Sequence, residues 1–143
     1  MAQLIATAAC GVFFGAALYI SVVQQPAALE AGVGFAGRFF PPMYRRAAAL
    51  QIASAATGTA AGVTAWAVYG DIWWLVGGLI LILVVPLTLF WIKPVNDRLL
   101  DPHRGPEASD TEWLLRRWGA RHASRVVLSG VAFMIFLWRS THV

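Results

Sequence analysis

The sequence predicts an all-α fold, a four-transmembrane-helix antiparallel bundle with a short interfacial helix between helices 1 and 2. Three observations predict it. Hydrophobic residues make up 59% of the 143 and charged residues 13%, against about 45–50% and about 25% in soluble domains. A soluble core of this size could not hide that excess, so lipid is the expected solvent. The apolar residues also fall into runs near 4–23, 47–69, 72–92 and 118–138, with the polar residues gathered between them. Finally, nearly all basic residues flank these runs at what would be one end of a bundle. The whole of 1–143 therefore reads as a single membrane domain.

The first run, Leu4 to Val23, carries no charge over 20 residues, and roughly 20 are needed to cross a hydrocarbon core of about 30 Å. A cleaved signal peptide is the rival reading. No Lys or Arg precedes the run, however, and it exceeds the usual ~7–15 apolar residues of such a peptide. Thr7, Gly11, Gly15 and Tyr19 recur every fourth residue and place small groups on one helix face, as close helix approach in lipid favours. Tyr19 ends that face, as an interfacial anchor or as a site residue. Pro26 is expected to block continuation of the helix, and Pro41-Pro42 to break any helix formed by residues 27–40. Phe35, Phe39 and Phe40, with Glu30 and Arg38, make that piece a short interfacial or re-entrant helix.

The second run is rich in Ala, Gly and Thr, which suits a helix packed among others, with Gly58 and Gly62 on its contact face. Gln51 needs a partner inside the membrane, as structural glue or as pocket lining. Tyr69-Gly70-Asp71 leaves room only for a turn. The third run then opens on Trp73-Trp74, an expected interfacial pair; Pro86 should kink it and Lys93-Pro94 end it. Ser109 to Glu112 has capping-box spacing, which starts the fourth helix near Asp110. The purely apolar piece from Val126 to Trp138 has 13 residues and cannot cross alone at about 1.5 Å per residue. Crossing must therefore draw Arg125, His122 and Trp118 to the headgroup level or below.

With four spans, Arg38, Arg45, Arg46, Lys93, Arg98, Arg104, Arg116, Arg117, Arg121 and Arg125 lie at the connector end, and Arg139 alone at the other. The connectors 24–46 and 93–121 are then expected in the cytoplasm and both termini outside. The net charge of +4 thus reads as topology and headgroup contact, with no nucleic-acid partner. The lone Cys10 lies within an apolar run and excludes an internal disulfide or a thiolate cluster. No P-loop, dinucleotide fingerprint, HExxH or GxSxG stands in the chain. His103 and His122 with Asp97 or Asp101 lack recognised ligand spacing, so no metal is expected.

Tyr19, Gln25, Tyr44, Gln51, Asn96, Asp97, His122 and Arg125 are all expected near one membrane face. Trp118, His122 and Arg125 fall on one helical face by their spacing. Polar groups at that depth are costly and turn toward the bundle interior or a wet cavity. Taken singly, Arg125 could snorkel to phosphate, Asn96-Asp97 cap a helix and His122 bond a carbonyl. Taken together they read as a pocket.

Four stretches carry a resemblance: Gly15 to Pro26 (GAALYISVVQQP), Phe40 to Gln51 (FPPMYRRAAALQ), Lys93-Pro94-Val95-Asn96-Asp97, and Trp118 through His122 to Arg125. In these the chain resembles the anthrone oxygenase-like family of small four-helix membrane proteins. The resemblance implies oxidation of an anthrone-type or other phenolic, apolar substrate to a quinone, with O₂ as co-substrate and no cofactor. The chemistry needs a base and donors for an oxyanion. Residue type and expected location put His122 forward as that base, Asn96 and Arg125 as the groups holding oxyanion or phenolate, and Tyr19, Tyr44, Gln51 and Trp118 as substrate contacts. Two other classes remain open at this level: an accessory or structural membrane protein, and a binder or transporter of small molecules. The expected partners are the bilayer and an apolar aromatic molecule; the sequence leaves oligomeric state undetermined.

Overall fold

In the computed structural model, which describes residues 1–142, helix α1 (Ala2–Tyr19) runs through a π-helical turn, Ile20–Gln24, into α2 (Gln25–Glu30). Helix α3 covers Val33–Tyr69 and α4 covers Ile72–Ile82. The short α5 (Val84–Leu87), a second π-helical turn (Thr88–Ile92) and α6 (Lys93–Leu100) follow on. Helix α7 spans Thr111–Thr141. The described residues form helices and connections, with no strand.

Three helical stretches are long and apolar enough to cross a membrane: Ala2–Glu30, Ile72–Leu100 and Thr111–Thr141. The expected second span, 47–69, lies inside α3, whose Ala, Gly and Thr content leaves it less apolar than the others.

Several expectations about where helices stop are overturned. Pro26 does not block the first helix, and Lys93-Pro94 does not end the third. In each case a π-helical turn precedes the proline and moves the bonding register by one residue. Gln25 N–H donates to the Ile20 carbonyl and Lys93 N–H to the Thr88 carbonyl. Each proline then enters a fresh first helical turn, where a missing N–H costs nothing. Pro41 and Pro42 lie inside α3 without breaking it. Buried Phe40 packs edge-on to Trp118 at 5.1 Å and stacks with Tyr44 at 5.7 Å, holding the axis on both sides of the prolines. Residues 27–40 therefore form no separate interfacial helix. The chain turns instead at Ala31-Gly32, where Gly32 takes φ 118°, a conformation that a side chain would strain.

The expected interruption at Pro86 appears one turn earlier, at Leu83, because the proline has no N–H to give the Ile82 carbonyl. One further reading is corrected. The capping box at Ser109 does not form: Asp110 is the N-cap residue and makes no capping bond. Its carboxylate is taken by Arg104 and Arg98. The Arg104 hydrogen bond holds the Asp110 carboxyl below the usual range, with help from the charges of Arg104 and Arg98.

Thr7 Oγ1 meets Ser140 Oγ at 2.9 Å and Arg139 Nε donates to Asp71 at 2.6 Å, so both chain ends and the turn at 70–71 share one end of the molecule. Gln25 donates to the Leu115 carbonyl and Arg38 to Glu107, bringing the connectors together at the other. Each end has its own core. At the terminal end Cys10, Phe13, Trp74, Leu81 and Phe136 pack together. Trp74, expected at the interface, is only 1% exposed and stacks on Phe136 at 5.4 Å; Trp73 is the exposed partner of that pair. Close approach here depends on glycine: a Cβ at Gly77 would stand 2.5 Å from the Phe136 ring, and one at Gly58 2.8 Å from Leu81. The connector end packs Ile20, Phe40, Ile92, Val95, Leu114 and Trp118.

Candidate functional site

The inward stripe of α7 descends through Leu114, Leu115, Trp118, His122, Arg125 and Ser129, all buried. Spacings of three and four put them on one face. Trp118 and His122 stack with ring centres 4.6 Å apart. The indole N–H of Trp118 donates to Asn96 Oδ1 at 2.7 Å, and Asn96 Nδ2 donates to the Tyr44 hydroxyl at 3.0 Å. Because an indole can only donate, this chain fixes the orientation of the Asn96 amide. Both polar atoms of Asn96 are thereby engaged. The Tyr44 oxygen accepts, leaving its own proton to donate elsewhere.

Below this network lies a cavity of about 260 Å³. α3 contributes Tyr44, Gln51 and Ala55 to its wall, and the irregular part of the third helix contributes Val84, Thr88 and Asn96. Phe13 forms part of its wall, and Arg125 enters from α7. Arg125 is the only buried charged side chain among the described residues. It has no carboxylate partner there, its Nε has no hydrogen bond, and its guanidinium lies 5.4 Å from the centre of the Phe13 ring. Gln51, 2% exposed, likewise has an unpartnered Nε2. A buried donor without a partner costs about 1–3 kcal/mol, and more when charged. Both unpartnered atoms are donors on residues that line the cavity, so its polar side suits an acceptor and above all an oxyanion.

His122 does not line this cavity. It borders a narrow void of about 10 Å³ that Tyr44, Gln51 and Arg125 also line, close to the room one water needs. Its Nδ1 pairs with Ser21 Oγ at 3.0 Å, the only hydrogen bond to its ring among the described residues. Ser21 is a contact that sequence reasoning missed. Other helical hydroxyls here, such as Thr64, Thr88 and Ser140, bond back to the carbonyl four residues earlier. Ser21 sits in the first π-helical turn and bonds only His122. With Ser21 accepting from Nδ1–H, the lone pair of the imidazole would sit on Nε2.

The structure thus brings together Tyr44, Gln51, Asn96, Trp118, His122 and Arg125. Tyr19 stands apart: it is 56% exposed and borders neither space. Asp97 lines the cavity but is held by Lys93 at 2.6 Å. His103 is exposed in the connector between α6 and α7, and the described residues hold no group of three His, Cys, Asp or Glu placed to bind a metal.

Residues 40–135, more than half of the chain, match the family model described as anthrone oxygenase. That match takes in Tyr44, Gln51, Asn96, Trp118, His122 and Arg125, and stops short of Ser21. No curated protein and no solved structure gives a match.

Proposed function

The chain belongs to the anthrone oxygenase family, and from that premise we propose that it is an integral membrane oxidoreductase acting on an apolar, enolisable or phenolic substrate. The observation that carries the reading is Arg125, a buried guanidinium that makes no ion pair among the described residues, lining a mostly apolar cavity together with Gln51. In this reading the substrate oxygen takes the place of the missing acceptor. Arg125 and Gln51 bind it, and the charge gathers there as the C–H proton leaves. His122 is the base. Its Nε2 takes that proton across the narrow void, through one water or after a small shift of side chains. Asn96 holds the Tyr44 ring and hydroxyl against the cavity. Its Oδ1 is taken by Trp118 and one N–H by Tyr44, which leaves the second N–H for the oxyanion role expected of it.

The reaction balances without a further reductant. The substrate carbanion gives electrons to O₂, and the resulting peroxide takes back the proton. Loss of water then leaves a carbonyl, so one O₂ is consumed per quinone formed and one water released. No cofactor is invoked. The membrane setting extends the three apolar stretches to four spans. Helix α3 serves as the second, with the Arg-rich connectors in the cytoplasm and both termini outside. Supporting that topology, Arg38, Arg104, Arg116 and Arg121 gather at the end opposite Thr7 and Ser140.

The test is oxygen uptake by purified protein in lipid nanodiscs supplied with an anthrone. The expected result is quinone formation above the spontaneous rate, one O₂ per product, falling at least a hundredfold in His122→Ala while the variant stays folded. Folded wild-type protein giving only the spontaneous rate would refute the activity.

A further inference from the structure

The cavity has an opening, and its surroundings say where that opening leads. Above, the Trp118–Asn96–Tyr44 network closes it toward the connectors, with Asn96 1% and Trp118 2% exposed. Phe13, Ala55 and Val84, all buried, close it toward the terminal core. On the flank between α3 and the α5–π-turn segment, three lining residues are also exposed: Ile52 at 69%, Leu89 at 52% and Val85 at 44%. All three are aliphatic. At membrane depth such a flank faces acyl chains, and only the Lys93–Asp97 pair adds a polar edge to the rim.

We propose that the cavity is loaded sideways from the bilayer, through the gap between α3 and the Val84–Ile92 segment. Its ligand is an apolar ring system carrying one anionic or strongly accepting oxygen. The proposal rests on the reading of Arg125 and Gln51 as oxygen-binding groups. It adds the route and the lipid-dissolved state of the ligand. The geometry assigns each end of such a molecule a place: the oxygen inward to the unpartnered donors, the apolar body along Val84, Val85 and Leu89. The irregular helix on this side supports the route. Its backbone is interrupted at Leu83 and re-registered over Thr88–Ile92, so the portal wall is the least regular part of the third helix, where helices yield most readily. A cavity of about 260 Å³ is near the low end of ligand sites, which run from about 300 Å³, and suits a small flat molecule.

The experiment uses the full chain in nanodiscs and 1-hydroxyanthraquinone, a coloured phenolic tricycle, followed by its visible absorption in a stopped-flow instrument. Total lipid is varied so that the probe's mole fraction in the bilayer and its aqueous concentration change independently. The expected association rate follows the bilayer mole fraction. In the double variant Ile52→Phe/Val85→Phe it falls at least tenfold. Phenylalanines placed at Val127 and Val131, on the exposed face of α7, leave it unchanged. A rate that follows the aqueous concentration, or one indifferent to the portal variant, overturns the proposal; so does wild-type protein that fails to bind the probe. The mole-fraction series needs no variant and stands if the double variant misfolds. Anthrone turnover with aqueous-phase kinetics would keep the oxygenase and remove the portal. Lipid-phase binding without turnover would do the reverse.

Discussion

The two ends of the molecule solve opposite problems with the same helices. At the terminal end, α1, α3, α4 and α7 meet through small residues and filled space. Gly58, Gly62 and Gly77 admit Leu81 and Phe136, and the buried Cys10 Sγ lies 3.7 Å from the Ser129 carbonyl. At the connector end α1, α3, α7 and the segment from α5 to α6 leave a cavity, and two residues that line it, Gln51 and Arg125, carry donors that no described residue satisfies. The first end is packed for stability. The second keeps Arg125 and Gln51 unpaired in a low-dielectric setting, where each costs free energy, and such a cost is understandable if a ligand relieves it. What differs is backbone regularity as much as composition. Both π-helical turns lie in the connector half, one placing Ser21 against His122 and the other placing Thr88 and Leu89 on the cavity wall.

The largest effect that would sharpen this contrast is expected at Gly77. A leucine there must displace Phe136 and the Trp74 ring stacked on it. Overpacking a filled core costs about 1–3 kcal/mol or more. Gly77→Leu should lower the thermal unfolding midpoint in nanodiscs by many degrees and reduce activity only in proportion to the folded fraction. A smaller effect is expected at the other end. Trp118→Phe keeps the ring against His122 and Phe40 but strips the donor from Asn96 Oδ1, a loss of about 1–3 kcal/mol. Release of the Asn96 amide should let Tyr44 turn. Turnover per folded protein would then fall about tenfold, with a change in KM that a lower folded fraction cannot produce. If Gly77→Leu were folded but inactive, or Trp118→Phe unfolded but fully active once folded, the division between the two ends would fail.

Much of the fold was legible because helical periodicity and span length are strong signals. The short apolar piece after Arg125 forced His122 and Trp118 inward, and α7 does bury all three side chains. The turn at Gly70 also stands where it was read, with φ 71°. The ends of the helices were poorly legible. Proline was read as a stop at 26, 41–42 and 94, yet each is absorbed, either by a change of bonding register or by tertiary packing around Phe40. Neither cause leaves a local mark in the sequence. The site was half legible. Residue type and depth pointed to Tyr44, Gln51, Asn96, His122 and Arg125, but they could not say which donors remain free. Asn96 turned out engaged and Gln51 free, a distinction set by Trp118 from another helix. Ser21 was invisible because a serine in an apolar run ordinarily bonds its own helix. Tyr19 faces outward, and a Cβ added at Gly15 in the preceding turn would meet nothing within 4 Å, so this part of the small-residue face of α1 is open.

The most direct measurement is made on Arg125→Leu, with thermal unfolding and anthrone-dependent oxygen uptake recorded on the same nanodisc preparation. A leucine removes an unpaired buried charge, so the unfolding midpoint should hold or rise. The loss of the oxyanion's main partner should cut turnover by at least a hundredfold. A variant that unfolds at markedly lower temperature, or one that oxidises the anthrone as fast as wild type, would contradict the account: Arg125 would then be a structural residue, and the cavity beside it would be no oxyanion site.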